Sequence, residues 1–166
     1  MMEIHTKVSY GGNGICEITD ICTKTIDGTT KQFYVLTPLH GDGAIIYVPA
    51  ESEELMSRMY QLMTAEEAKC LIRQMPSAET GWIEDEKMRC AYEKSVLSSG
   101  DRMALVSMTK SLYEQKQMLA AKGKRLRTAD AQALKQGENK LFGELSVVLR
   151  IERDQVLKYI QDMLAE

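Results

Sequence analysis

Hydrophobic positions in residues 1–50 come in short runs, at 15–21, 33–36 and 44–48, rich in β-branched and aromatic side chains. Turn signals separate them: Gly11-Gly12-Asn13-Gly14, Asp27-Gly28 and Gly41-Asp42-Gly43. Asp-Gly between two apolar runs is a strong hairpin cue, because glycine takes positive φ without a steric penalty. Pro49 closes the last run. The pattern predicts a small antiparallel sheet of four or five short strands curled into a barrel. After Glu51 the apolar period becomes 3.6. Thr64 with Glu67 forms a capping-box signature ahead of Ala68, Leu71, Ile72 and Met75, and Pro76 stops that helix. A loop from Ser77 leads to Trp82, and a second helix is predicted from about Glu84 to Leu97, ended by Ser99-Gly100. Leu105, Met108, Leu112 and Leu119 mark a long helix that stops near Lys122-Gly123. Leu134, Leu141, Leu145 and Val148 mark another, in which Gly137 and Gly143 are candidates for close helix contact. Val156, Ile160, Met163 and Leu164 mark the last. The fold class is therefore α+β: a β-barrel domain over 1–50, a linker over 51–63 and an all-α domain over 64–166.

Composition narrows the function classes. With 166 residues, 44% hydrophobic and 27% charged, the chain has the balance of a globular protein that can bury a sizeable core. No apolar stretch approaches the ~20 residues of a membrane span. The start, MMEIHTKVSYGG, lacks the apolar core of a signal peptide, so a cytoplasmic location is expected and a membrane partner is not. The net charge of −3 names no polyanionic partner. Cys16, Cys22, Cys70 and Cys90 form no C-x-x-C pair, and His5 and His40 stand in no ligand spacing. Reduced thiols acting as small hydrophobes are expected, with no metal site and no cofactor.

Catalysis is not expected either. Gly11-Gly12-Asn13-Gly14 precedes a strand-like run and lacks the Gly-Lys-Ser/Thr of a phosphate loop, so it reads as a turn. No nucleophile–base pair is visible, and no small-molecule substrate is implied. The charge distribution says more than the total. Lys110, Lys116, Lys122, Lys124, Arg125 and Arg127 face only Glu114 over the stretch 110–127. Such local density is an electrostatic footprint for phosphate, or else the solubilised end of a helix. Trp82 is open to two readings, a packing anchor for the bundle or an exposed ring that wedges against a minor groove. Glu84, Asp85 and Glu86 follow it and suit a helix N-terminus.

The run Val8-Ser9-Tyr10-Gly11-Gly12-Asn13-Gly14-Ile15-Cys16-Glu17-Ile18 resembles the opening of the CarD/CdnL family of bacterial RNA polymerase-binding transcription regulators. Phe33-Tyr34-Val35-Leu36, Gly41-Asp42 and Ile46-Tyr47-Val48-Pro49 are similar to its later strands in order and spacing. Downstream, Trp82, Ser99-Gly100-Asp101 and Lys110-Ser111-Leu112-Tyr113 resemble its helical half. The resemblance implies a Tudor-like or SH3-like barrel that docks on the polymerase β subunit, followed by a helical domain. It implies Lys24, Ile26 and Tyr47 as polymerase-binding residues, Lys24 and Tyr47 standing where many relatives carry Arg. It also implies that Trp82 abuts the upstream edge of melted promoter DNA, with basic residues holding phosphates; Lys87, Arg89, Lys122, Lys124 and Arg125 are the candidates. Many relatives follow the tryptophan with basic residues, whereas this chain reads Ile83-Glu84-Asp85-Glu86. The expected function is a transcription regulator that stabilises the promoter open complex through DNA contacts without sequence specificity. The alternative is a protein-only adaptor that binds polymerase or another partner and leaves DNA alone.

Overall fold

A computed structural model of the chain describes residues 2–39 and 43–166. His40, Gly41 and Asp42, which carry part of one expected turn, lie outside the described residues. The chain divides into two compact units, one ending at Leu62 and the other running Met63–Glu166.

The first unit is a five-stranded antiparallel sheet of β1 (Lys7–Tyr10), β2 (Ile15–Ile26), β3 (Thr29–Pro38), β4 (Ile46–Pro49) and β5 (Met59–Gln61). Its spatial order is β4-β3-β2-β1-β5. The segment 11–14 connects β1 to β2 through a single 3-10 turn, Gly11–Asn13, and does not start an α-helix. Asp27 and Gly28 close the β2–β3 hairpin with φ of 50° and 77°. Positive φ at both central residues matches the right-handed twist of the flanking strands. A register shift between Ile18 and Asp20 marks a bulge in β2. Val8, Tyr10, Cys16, Ile18, Tyr34, Leu36, Val48 and Met59 form one buried cluster on the inner face. Burial pushes the Cys16 thiol up to about 11, so it packs as a small hydrophobe. This is the architecture of a small Tudor-like β unit.

The expected linker over 51–63 is not one. It holds a short helix, α1 (Glu53–Met56), capped by Ser52, and then β5. Strand β5 pairs with β1 through Val8–Gln61, Ser9–Tyr60 and Tyr10–Met59. Met59 is buried in the sheet's core, which makes residues 51–62 part of the β unit, while Met63 already belongs to the helical core.

The second unit contains α2 (Ala65–Gln74), α3 (Glu86–Ser98), α4 (Arg102–Ala121), α5 (Thr128–Leu149) and α6 (Val156–Leu164). The Thr64–Glu67 capping box forms in both directions, at 3.1 and 3.0 Å. Asp85 and Asp101 cap α3 and α4 in one direction only, accepting from the N–H groups of Met88 and Ala104. The core gathers Ala68, Leu71 and Ile72 of α2 with Leu105, Met108 and Leu112 of α4 and Leu141 and Leu145 of α5. Of the two candidate glycines only Gly137 makes a close contact. A Cβ there would stand 2.8 Å from Thr109 Oγ1 and 3.2 Å from Met108 Cε, whereas one at Gly143 meets nothing within 4 Å. Thr109 is buried and its hydroxyl donates to the Leu105 carbonyl, so it has little room to give. Gly137→Ala therefore destabilises by about 1–2 kcal/mol despite the better helix propensity. Gly143→Ala stabilises by about 0.5–1 kcal/mol, and paired thermal melts of the two variants read the opposite signs.

Candidate functional site

Alternation along the hairpin decides which side chains share the outer face of the sheet. Past the bulge, the register sets Cys22 opposite Phe33, Lys24 opposite Lys31 and Ile26 opposite Thr29, while Val35 faces Tyr47 and Phe33 faces Pro49. Lys24, Ile26 and Tyr47 therefore lie on one face. Tyr47 and Ile26 are about half exposed, and the Lys24 ammonium sits 3.6 Å from the centre of the Tyr47 ring. The Tyr47 ring in turn meets buried Phe33 edge-on at 6.5 Å. The Tyr47 phenol is thus held by an aromatic floor and a cation.

Lys31 completes the patch. It is exposed directly across from Lys24, and like charges in that position destabilise a strand pair. An acidic partner would relieve them. Lys31 was legible in principle: a two-residue Asp27-Gly28 turn makes 26/29, 25/30 and 24/31 the cross-strand pairs. Strand β4 closes one end of the sheet. Because Ala50 N–H donates to the Gln32 carbonyl, the hydrogen-bonded pairs are 32/50, 34/48 and 36/46. The Tyr47 N–H and C=O consequently point to the open edge.

In the helical unit, the loop carrying Trp82 is tied down on both sides. The Lys110 ammonium donates to the carbonyls of Met75, Pro76 and Ala78 at 3.1–3.5 Å, and Gly81 N–H donates to Ser111 Oγ. Arg89 fastens the other side. It donates to the Ile83 carbonyl at 2.8 Å, and its guanidinium lies 4.3 Å from the centre of the Trp82 ring. The same guanidinium forms a two-pronged bond to Asp130 at 2.8 and 2.9 Å. Trp82 is half-buried and packs against the helical core, between the two expected readings.

The phosphate role expected of Arg89 does not fit this placement: the residue is buried, and its donors are spent on Asp130 and on loop carbonyls. Lys110, counted in the basic stretch, likewise caps carbonyls. Lys87, Lys122, Lys124 and Arg125 are exposed. An Arg127–Glu86 ion pair and the Arg89–Asp130 pair hold the start of α5 against the start of α3. The connection 122–127 and Lys87 therefore approach the same end of the unit as Trp82. The acidic run after Trp82 is also partly neutralised, since Asp85 caps α3 and Glu86 pairs with Arg127.

Behind Trp82 lies a buried acidic pair. Burial alone would raise the Asp130 carboxyl, but the two hydrogen bonds and the positive charge of Arg89 hold it below the ordinary value. Burial, and next the Asp130 carboxylate, push Glu93 up to about 7, with Arg89 pulling the other way. Among the described residues, no group of three or more His, Cys, Asp or Glu is placed to hold a metal, and no helix is long and apolar enough to cross a membrane.

A Tudor-like sheet with a cationic, aromatic outer face and an open edge strand is thus followed by a separate helical unit. The β unit is a CarD-like/TRCF RID domain: residues 2–60 match the model of that family, α1 and most of β5 included. The resemblance read from the sequence is borne out over that unit, and a domain of this family suggests an RNA polymerase-interacting, transcription-related protein. No curated protein matches the chain.

Proposed function

We propose that the protein is a non-catalytic, cytoplasmic transcription regulator. Its β unit docks on the polymerase β subunit through Lys24, Ile26 and Tyr47, and its helical unit contacts promoter DNA through Trp82 with Lys87, Lys122, Lys124 and Arg125. The observation that carries the reading is the convergence of Lys24, Ile26 and Tyr47 on one face of a CarD-like/TRCF RID domain. An acidic strand laid against β4 would meet the Tyr47 main chain at the edge and the two lysines beside it, the usual division between affinity and choice of partner. Docking raises the local concentration of a weak DNA-binding unit to a useful level, so a chain of net charge −3 needs no strong affinity for free DNA. Base-specific reading is not part of the proposal.

The test is binding of the full chain to an isolated β-subunit lobe. Lys24→Glu weakens binding at least about tenfold, because it sets a carboxylate against the acidic partner. Equal binding by the variant overturns the docking face. Open-complex lifetime then separates the two readings of the helical unit. Trp82→Ala shortens it while lobe binding is retained if the ring meets DNA. The contact of Trp82 with the helical core favours the adaptor reading instead, under which the substitution leaves promoter lifetime unchanged.

A further inference from the structure

Glu93 has a place in the helical unit that neither its fold nor the proposed DNA contact requires. It is 4% exposed, one helical turn after Arg89, and its Oε2 is a buried side-chain oxygen without a hydrogen-bond partner. It borders a cavity of about 20 Å³ whose other walls include Trp82, Arg89, Tyr92, Ser111 and Leu112. A space of that size holds one water molecule. Burying an acid beside another acid is costly, and a neutral Gln or a hydrophobe would fill the site at less expense.

The guanidinium of Arg89 links the parts. It lies over the Trp82 ring, 4.3 Å from its centre, and its edge grips Asp130. We propose that Glu93, Asp130 and Arg89 form a proton-controlled latch that sets how firmly the Trp82 indole is held against the helical unit. With Glu93 protonated, the three buried groups sum to zero charge. Its proton is shared with Asp130, and Arg89 stays flat on the indole. When Glu93 gives that proton to solvent, the cluster carries one uncompensated negative charge. Water enters the cavity to solvate Oε2, and the guanidinium is divided between two carboxylates and slides from the ring. The indole is released.

The charged groups facing Glu93 are few. Its own helix supplies Arg89 with the Cys90 thiol beside it; α5 supplies Asp130, with Arg127 acting on Asp130. From α4 the wall is Met108, Ser111 and Leu112, none of which titrates in this range. The upward push on Glu93 to about 7 sets the switch near neutrality. The inference extends the Trp82 role proposed above, but its test needs neither polymerase nor DNA, so each can fail without the other.

Trp82 is the chain's single tryptophan and reports on itself. In the full-length protein, acrylamide quenching of its fluorescence is followed from about pH 5.5 to about pH 8.5. The quenching constant is expected to rise about twofold through one transition near neutrality, with a red shift of emission. In Glu93→Gln, an isosteric neutral mimic, quenching stays at the acid-side value throughout. Arg89→Lys keeps the charge but loses the planar fork, and its indole is quenched at the alkaline level at every pH. Absence of a transition in the wild type overturns the latch. So does an unchanged transition in Glu93→Gln. Far-UV circular dichroism confirms the fold of each variant, and Glu93→Gln decides the matter if Arg89→Lys does not fold.

Discussion

Asp130→Ala is expected to destabilise the helical unit by about 3 kcal/mol or more, seen as a lower denaturation midpoint with an unchanged slope. The cost is not the loss of an attractive pair, because a buried pair is weak evidence for stability. It is the guanidinium left behind. Arg89 is 6% exposed and Asp130 2%, so without the carboxylate a cation is stranded among apolar side chains. Glu93 provides partial rescue: with Asp130 gone, it ionises more readily and turns to Arg89. Adding Glu93→Gln removes that reserve, so the double variant should be less stable than the sum of the two single effects predicts. Simple additivity would mean that Glu93 and Arg89 do not feel each other.

The second large effect is on the pH dependence of stability. The Glu93 carboxyl is raised from an ordinary 4.5 to about 7 in the folded protein. Below 4.5 both folded and unfolded chains hold the proton, and the neutral buried acid costs little. Between 4.5 and 7 the unfolded chain has lost the proton while the folded one keeps it, so stability falls as pH rises. Above 7 this contribution is flat, after a total loss on the order of 3 kcal/mol. Urea titrations of the wild type should show that decline. In Glu93→Gln it should vanish, leaving the variant the more stable of the two at pH about 8. An unchanged slope in the variant would assign the dependence to other groups.

Local signals were read well and long-range ones were not. The Asp27-Gly28 hairpin, the Thr64–Glu67 capping box and the Pro76 stop are each written within a few adjacent residues, and each lies where the pattern placed it. Strand β5 was invisible because Met59-Tyr60-Gln61 is short, is flanked by Arg58 and Leu62 without alternation, and becomes a strand only by pairing with β1. Arg89 was misread for a related reason. Arg89, Glu93 and Val96 fall at i, i+4 and i+7, a buried stripe in which two members are charged. Such a stripe looks solvated until Asp130, on another helix, is known to stand against it. On the sheet, Lys24, Ile26 and Tyr47 came from the family resemblance; the register adds that they share a face, and that Lys31 belongs with them.

The β1–β5 pairing also orders events on the ribosome. The β2–β3 hairpin joins neighbouring residues and can close as soon as 38 has left the exit tunnel. Strand β1 has only one of its two partners until Met59–Gln61 has been made, because Val8 waits for Gln61. A nascent chain stalled before that point carries an open strand with unpaired backbone groups, able to recruit a strand from a neighbouring polysome. Residues 51–63, which look like a tether in the sequence, are thus the segment whose arrival ends that exposure.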